Sequence, residues 1–109
     1  MGMDKETLRK RIEASNFIQN NGSVLRAINI LRCKFNRLKD IQYALDIEHD
    51  EIVDSVNYLH ESGYIKLRHT VSKQDTCLAD SDFNDIEAKL SADGIKLIAG
   101  KKTDECIEI

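Results

Sequence analysis

Apolar residues recur at helical spacing over the first sixty positions, and the period then changes. In Asp4–Asn20 (DKETLRKRIEASNFIQN), Leu8, Ile12 and Ser15 share one face with Phe17 and Ile18 beside it, while Arg9, Lys10 and Arg11 lie off that stripe. The pattern predicts a helix. Asn20-Asn21-Gly22 reads as its stop, because Asn and Gly tolerate the left-handed conformation a helix end requires. Ser23 is then placed to cap a second helix, about Val24–Lys34 (VLRAINILRCK), apolar at 24, 25, 27, 28, 30 and 31. A helix apolar over so much of its circumference belongs at the centre of a core.

Asn36 precedes a short third helix, about Arg37–Leu45, with Leu38, Ile41 and Leu45 at helical spacing. Asp46 suits the tight corner between two crossed helices. A fourth helix opens at Glu48 or His49 and runs to about Ser62, with Ile52, Val56, Leu59 and Val53 as its buried stripe and Gly63 as its stop. From Tyr64 to His69 and again from Asp85 to Leu90 the alternation has period two, which predicts two strands with one buried face. The polar stretch Thr70–Asn84 between them is long for a hairpin connection and reads as strand extensions with a mobile tip. Ser91 caps a last helix, Ala92–Ala99, closed by Gly100. The ending KKTDECIEI reads as a loose tail, with Ile107 and Ile109 able to add an edge strand.

Charge changes the picture. The net charge of −3 conceals an uneven distribution. Residues 1–40 carry nine basic and four acidic side chains; residues 41–63 carry six acidic (Asp46, Glu48, Asp50, Glu51, Asp54, Glu61) and none basic; residues 64–109 carry seven and nine. Any attraction for a polyanion must come from the N-terminal part or the strand hairpin. A length of 109 residues fits one domain, and an apolar fraction of 41% suffices for one modest core.

Cys33, Cys77 and Cys106 are odd in number and share no short spacing, which argues against a disulfide framework or zinc ribbon. With no signal peptide and no apolar run near a membrane span, the expectation is a cytoplasmic protein with reduced thiols. There is no Gly-rich phosphate loop, nucleophile elbow or Cys/His cluster at metal spacing. His60 and His69 reach a common metal with Cys77 only if the hairpin folds back, and Asp80 with Asp82 sits in a polar loop with nothing to raise a carboxyl pKa. The expectation is no enzyme, no cofactor and no metal.

The ungapped run IQYALDIEHDEIVDSVNYLHESGYIKL and the later KLSADGIKLIAG carry a resemblance to the winged helix-turn-helix superfamily. They are most similar to MarR-type and PadR-type repressors and to small winged-helix proteins encoded by prophages. The resemblance covers about Ser23–Gly100. It implies an α+β, mainly α chain: a winged helix-turn-helix with an extra N-terminal helix (1–22), a two-stranded wing, a C-terminal helix and a tail (101–109). Gly94 would permit close helix packing. In family members that bind DNA, the second helix of the motif enters the major groove. Carried over by position, the groove-facing residues are His49, Asp50, Glu51, Val53, Asp54, Asn57 and Tyr58, with His49, Asn57 and Tyr58 the best suited by charge.

Asp50 and Glu51 have a structural explanation in the helix macrodipole, and Glu51 can complete a capping box with Glu48. Phosphate contacts fall to Asn36, Arg37 and Lys39 at the start of the third helix and to Lys66, Arg68, His69 and Lys73 on the wing. The resemblance implies a small DNA-binding transcription regulator of prophage or mobile-element type, acting on double-stranded DNA. The alternative is a protein–protein interaction module using the acidic face Asp50, Asp54, Asn57 and Glu61, with no direct DNA binding. The N-terminal helix either closes the chain's own core or forms a homodimer, as terminal helices often do in related repressors.

Overall fold

The computed structural model describes residues 4–109; residues 1–3 of the N-terminal segment lie outside it. The chain is α+β and mainly helical. Four helices, α1 (Lys5–Ile30), α2 (Leu38–Leu45), α3 (His49–Glu61) and α4 (Ala92–Ile98), surround three strands, β1 (Asn36–Arg37), β2 (Ile65–His69) and β3 (Ile86–Leu90). The sheet is antiparallel with β3 in the middle, in the order β1-β3-β2. Its inner face, Ile65, Leu67, Ile86, Ala88 and Leu90, packs on Val24, Leu25 and Ile28 of α1, Leu38 and Ile41 of α2, Ile52, Val56 and Leu59 of α3, and Leu97 of α4. Each such aliphatic side chain contributes roughly 1.5–3 kcal/mol on burial, so this single cluster holds the fold.

The expected break at Asn20-Asn21-Gly22 does not occur: α1 is one helix of 26 residues. The reason is tertiary. The C-terminal segment crosses the helix at this point, and a Cβ on Gly22 would lie 1.8 Å from the Glu108 carbonyl oxygen. Glycine is there for close approach, not for a left-handed turn. Asn21 is fully buried and donates through Nδ2 to the Cys106 carbonyl at 2.8 Å. Ser23 is therefore a mid-helix residue, and Asp4 caps α1 by accepting from the Thr7 amide. Ile30 and Leu31, expected in the core, are 80% and 51% exposed.

Nor is the tail loose. Ile107 is buried in the core, and Asp104 receives the hydroxyls of Tyr58 and Tyr64, each at 2.7 Å, with the Cys106 amide at 2.8 Å. Partial burial acts to raise the Asp104 carboxyl. The hydrogen bonds from Tyr64, Cys106 and Tyr58, with Lys102 nearby, outweigh that and hold it below the usual carboxylate range. Burial and the bond to the carboxylate push the Tyr64 phenol up to about 12, and Tyr58 is raised by the same causes. This clamp ties the tail to α3 and to the start of β2.

The corner between α2 and α3 is as expected: Asp46 sits at φ 52°, ψ 47°, its amide bonded to Gln42 and Tyr43 carbonyls. Gly94 also behaves as expected, since a Cβ there would meet the Tyr64 carbonyl oxygen at 2.1 Å. The 70–84 connection is tied down along much of its length. The Lys73 amide donates to the His69 carbonyl, Thr76 to Leu67, and His69 Nδ1 accepts from the Val71 and Ser72 amides. A 3-10 turn, Phe83–Asp85, then sets the Phe83 ring edge-on against His49, with centroids 4.8 Å apart. Among the described residues no helix is long and apolar enough to cross a membrane.

Candidate interaction surfaces

Two charged surfaces stand out, on different elements. The first is the solvent side of α3. With Ile52, Ser55, Val56 and Leu59 buried, the helical period turns Asp50, Asp54, Asn57 and Glu61 outward in one stripe, and all four are exposed. No carboxylate of Asp46, Glu48, Asp50, Glu51, Asp54 or Glu61 forms an ion pair among the described residues. The ridge is thus negative without internal compensation.

The expected capping box is absent: Glu48 makes no side-chain cap bond, and Glu51 instead accepts from Asn20 Nδ2 at 3.2 Å. Tyr58, expected to face a groove, is turned to the tail by its bond to Asp104, with its ring edge-on to Phe17 at 5.5 Å. His49 is exposed but has Phe83 against its ring. Val53 is half-buried. Of the residues carried over as groove-facing, Asp50, Asp54 and Asn57 therefore point most freely to solvent, and two of those three are acidic.

The second surface is the outer face of the sheet. Cross-strand register sets Arg37 opposite Glu87 and Glu87 opposite Arg68, with Lys66 opposite Lys89 in the adjacent row. Arg68 donates to Glu87 at 2.5 Å and lies over the Phe35 ring at 3.7 Å, and Lys73 reaches Glu87 at 3.2 Å. Lys89 is 5.9 Å from the same ring. Burial acts to raise the Glu87 carboxyl, but Arg68 and Lys73 outweigh it and keep it low. Two of the expected phosphate ligands, Arg68 and Lys73, are thus engaged with an internal carboxylate. Arg37, Lys39 and Lys66 are exposed and make no ion pair among the described residues. Asn36 donates to the Lys34 carbonyl and is half-buried.

Sequence reasoning missed Phe35, Glu87 and Lys89. Glu87 and Lys89 stood on the outer positions of a period-two strand, so the face they share was readable, although Glu87 is buried there and Lys89 half-buried. Their proximity to Arg37 was not, since it needs β1. His60, His69 and Cys77 do not converge, and among the described residues no group of three or more metal-ligating side chains is brought together. Comparison of the chain with family models, with curated proteins and with solved structures gives no match.

Proposed function

We propose that this chain is a small winged-helix DNA-binding protein, a transcription regulator of prophage or mobile-element type, which holds duplex through the sheet face rather than by inserting α3. The element order α1-β1-α2-α3-β2-β3-α4, with a left-handed corner at Asp46 and a long β2–β3 connection, supports the winged-helix reading beside the resemblance of its motifs. The observation that carries the mode of contact is the clustering of Arg37, Lys66 and Lys89 on one sheet face, with Lys39 next to it, against an unpaired acidic ridge on α3. Phosphate contact of this kind positions a protein and carries little sequence information. Binding is then weak, poorly sequence-selective and steep in salt.

Fluorescence anisotropy with a labelled mixed-sequence duplex tests it. Four phosphate contacts imply a loss of affinity of about 100-fold between 50 and 200 mM salt. Absence of binding at 50 mM salt with about 10 μM protein, within the range of ordinary non-specific affinity, refutes the reading.

A second reading is favoured by the ridge itself. Exposed carboxylates repel a phosphate backbone and attract a basic protein surface. Under it, Asp50, Asp54, Asn57 and Glu61 form a protein-docking face whether or not duplex binds elsewhere.

A further inference from the structure

We infer that the ridge on α3 is occupied by the projecting N-terminal half of α1 from a second copy of this chain, in a two-fold exchange. The inference rests on the reading of the ridge as a protein-docking face and names its occupant. The C-terminal half of α1 closes the chain's own core through Asn21, Val24, Leu25 and Ile28, but every residue from Lys5 to Asn16 is exposed. The molecule measures 56 Å along its longest axis and 32 and 22 Å along the other two. Leu8 and Ile12 are 48% and 52% exposed on that half, one turn apart. A helical segment of three turns has little stability in water without packing, so it invites a partner.

Charge and length select that partner. The projecting half carries Lys5, Arg9, Lys10 and Arg11 against Glu6 and Glu13, and of the four cations only Arg9 is ion-paired among the described residues, with Glu6. The ridge presents Asp50, Asp54 and Glu61, none of them ion-paired among the described residues. At about 1.5 Å per residue, Lys5–Asn16 and His49–Glu61 are both close to 20 Å long. The projecting half leaves its own body next to α3, at a cleft where Glu13, Asn16 and Phe17 face Glu51 and Asp54. A two-fold axis at that cleft lays each projecting half across the other chain's α3. The contact is then made twice, as an isologous dimer requires. One three-turn contact alone falls short of the roughly 1,000 Å² of a specific interface. In this dimer α3 is covered, which removes it from any groove.

Sedimentation equilibrium of the full chain reads the test. Twice the chain mass is expected at 50 mM salt, moving towards the single-chain mass at 500 mM. The double variant Lys10→Glu, Arg11→Glu and the double variant Asp54→Lys, Glu61→Lys should each weaken association at least about 10-fold, and all four changes in one chain should restore it. Circular dichroism confirms that each variant is folded, and these surface positions leave the core untouched. Two results overturn the inference: a single-chain mass at 50 mM salt and several hundred micromolar, or a dimer indifferent to Asp54→Lys, Glu61→Lys but lost with Ile12→Glu, which is direct pairing of two α1 helices. Decalysine separates this failure from failure of the ridge reading. If the chain is monomeric yet binds decalysine through Asp54 and Glu61, the ridge docks basic protein and only the second copy is excluded. If neither occurs, both fall.

Discussion

The ridge on α3 and the outer face of the sheet both carry clustered charged side chains and differ in how that charge is answered. On the sheet, antiparallel register places Glu87 between Arg37 and Arg68, and Lys73 returns from the β2–β3 connection to the same carboxylate. Part of the positive charge is thereby spent inside the protein. On α3 none of Asp50, Asp54 and Glu61 forms an ion pair among the described residues, so their field is left for whatever approaches. The difference is one of element type. A strand's outer residues meet cross-strand partners directly, whereas the outer residues of a surface helix have no partner set by register.

Reversing the free cation at the start of α2 should break the comparison most strongly. Arg37→Glu is expected to lower duplex affinity by about 100-fold or more and to reduce the slope of log affinity against log salt by at least about one, read by anisotropy. Removing repulsion from the ridge comes next. Asp54→Lys is expected to strengthen non-specific duplex binding by about 10-fold at 50 mM salt and to shift thermal stability by less than about 0.5 kcal/mol, as for most surface changes. Should it destroy sequence-selective binding while leaving non-specific affinity intact, Asp54 reads a base and the ridge enters the groove.

Glu87→Gln releases Arg68 and Lys73 to the sheet surface. A gain of several-fold in duplex affinity is expected, with a stability loss of about 1 kcal/mol by chemical denaturation for the broken, partly buried pair. Indifference of binding to this change would mean that the sheet face is not where phosphate sits.

The smallest effect on duplex binding is expected at the clamp that holds α3 in place, where the change falls on stability instead. Asp104→Asn should cost about 1–2 kcal/mol by weakening charge-assisted bonds from two tyrosines. The sign of its pH dependence follows from the lowered carboxyls of Asp104 and Glu87. Their stabilisation is complete above the ordinary carboxylate pKa of about 4 and is lost as pH falls through their lower folded values. Asp104→Asn should therefore flatten the fall in stability below about pH 4. An unchanged acid transition would remove Asp104 from the account of stability.

Most helix and strand positions were legible because long periodic patterns report burial directly. The expected fourth helix and second strand correspond closely to α3, His49–Glu61, and β3, Ile86–Leu90. The outward stripe of Asp50, Asp54, Asn57 and Glu61 could be read for the same reason. What escaped was non-local. Asn20-Asn21-Gly22 has the composition of a stop, and only the tail crossing it explains why the helix continues. Strand β1 has two residues, too few to show a period, yet it brings Arg37 beside Glu87. Asp104 lay in a segment that reads as a loose tail, and its partners Tyr64 and Tyr58 are 40 and 46 residues away.

The most direct test of where duplex sits is residue-resolved. In a titration of isotope-labelled chain with a mixed-sequence duplex at 50 mM salt, backbone amide NMR shifts should move at Arg37, Lys39, Lys66 and Lys89 and stay still at Asp50, Asp54 and Asn57. Shifts concentrated along Asp50, Asp54 and Asn57, with the sheet face unmoved, would contradict contact through the sheet and restore α3 as the inserted helix.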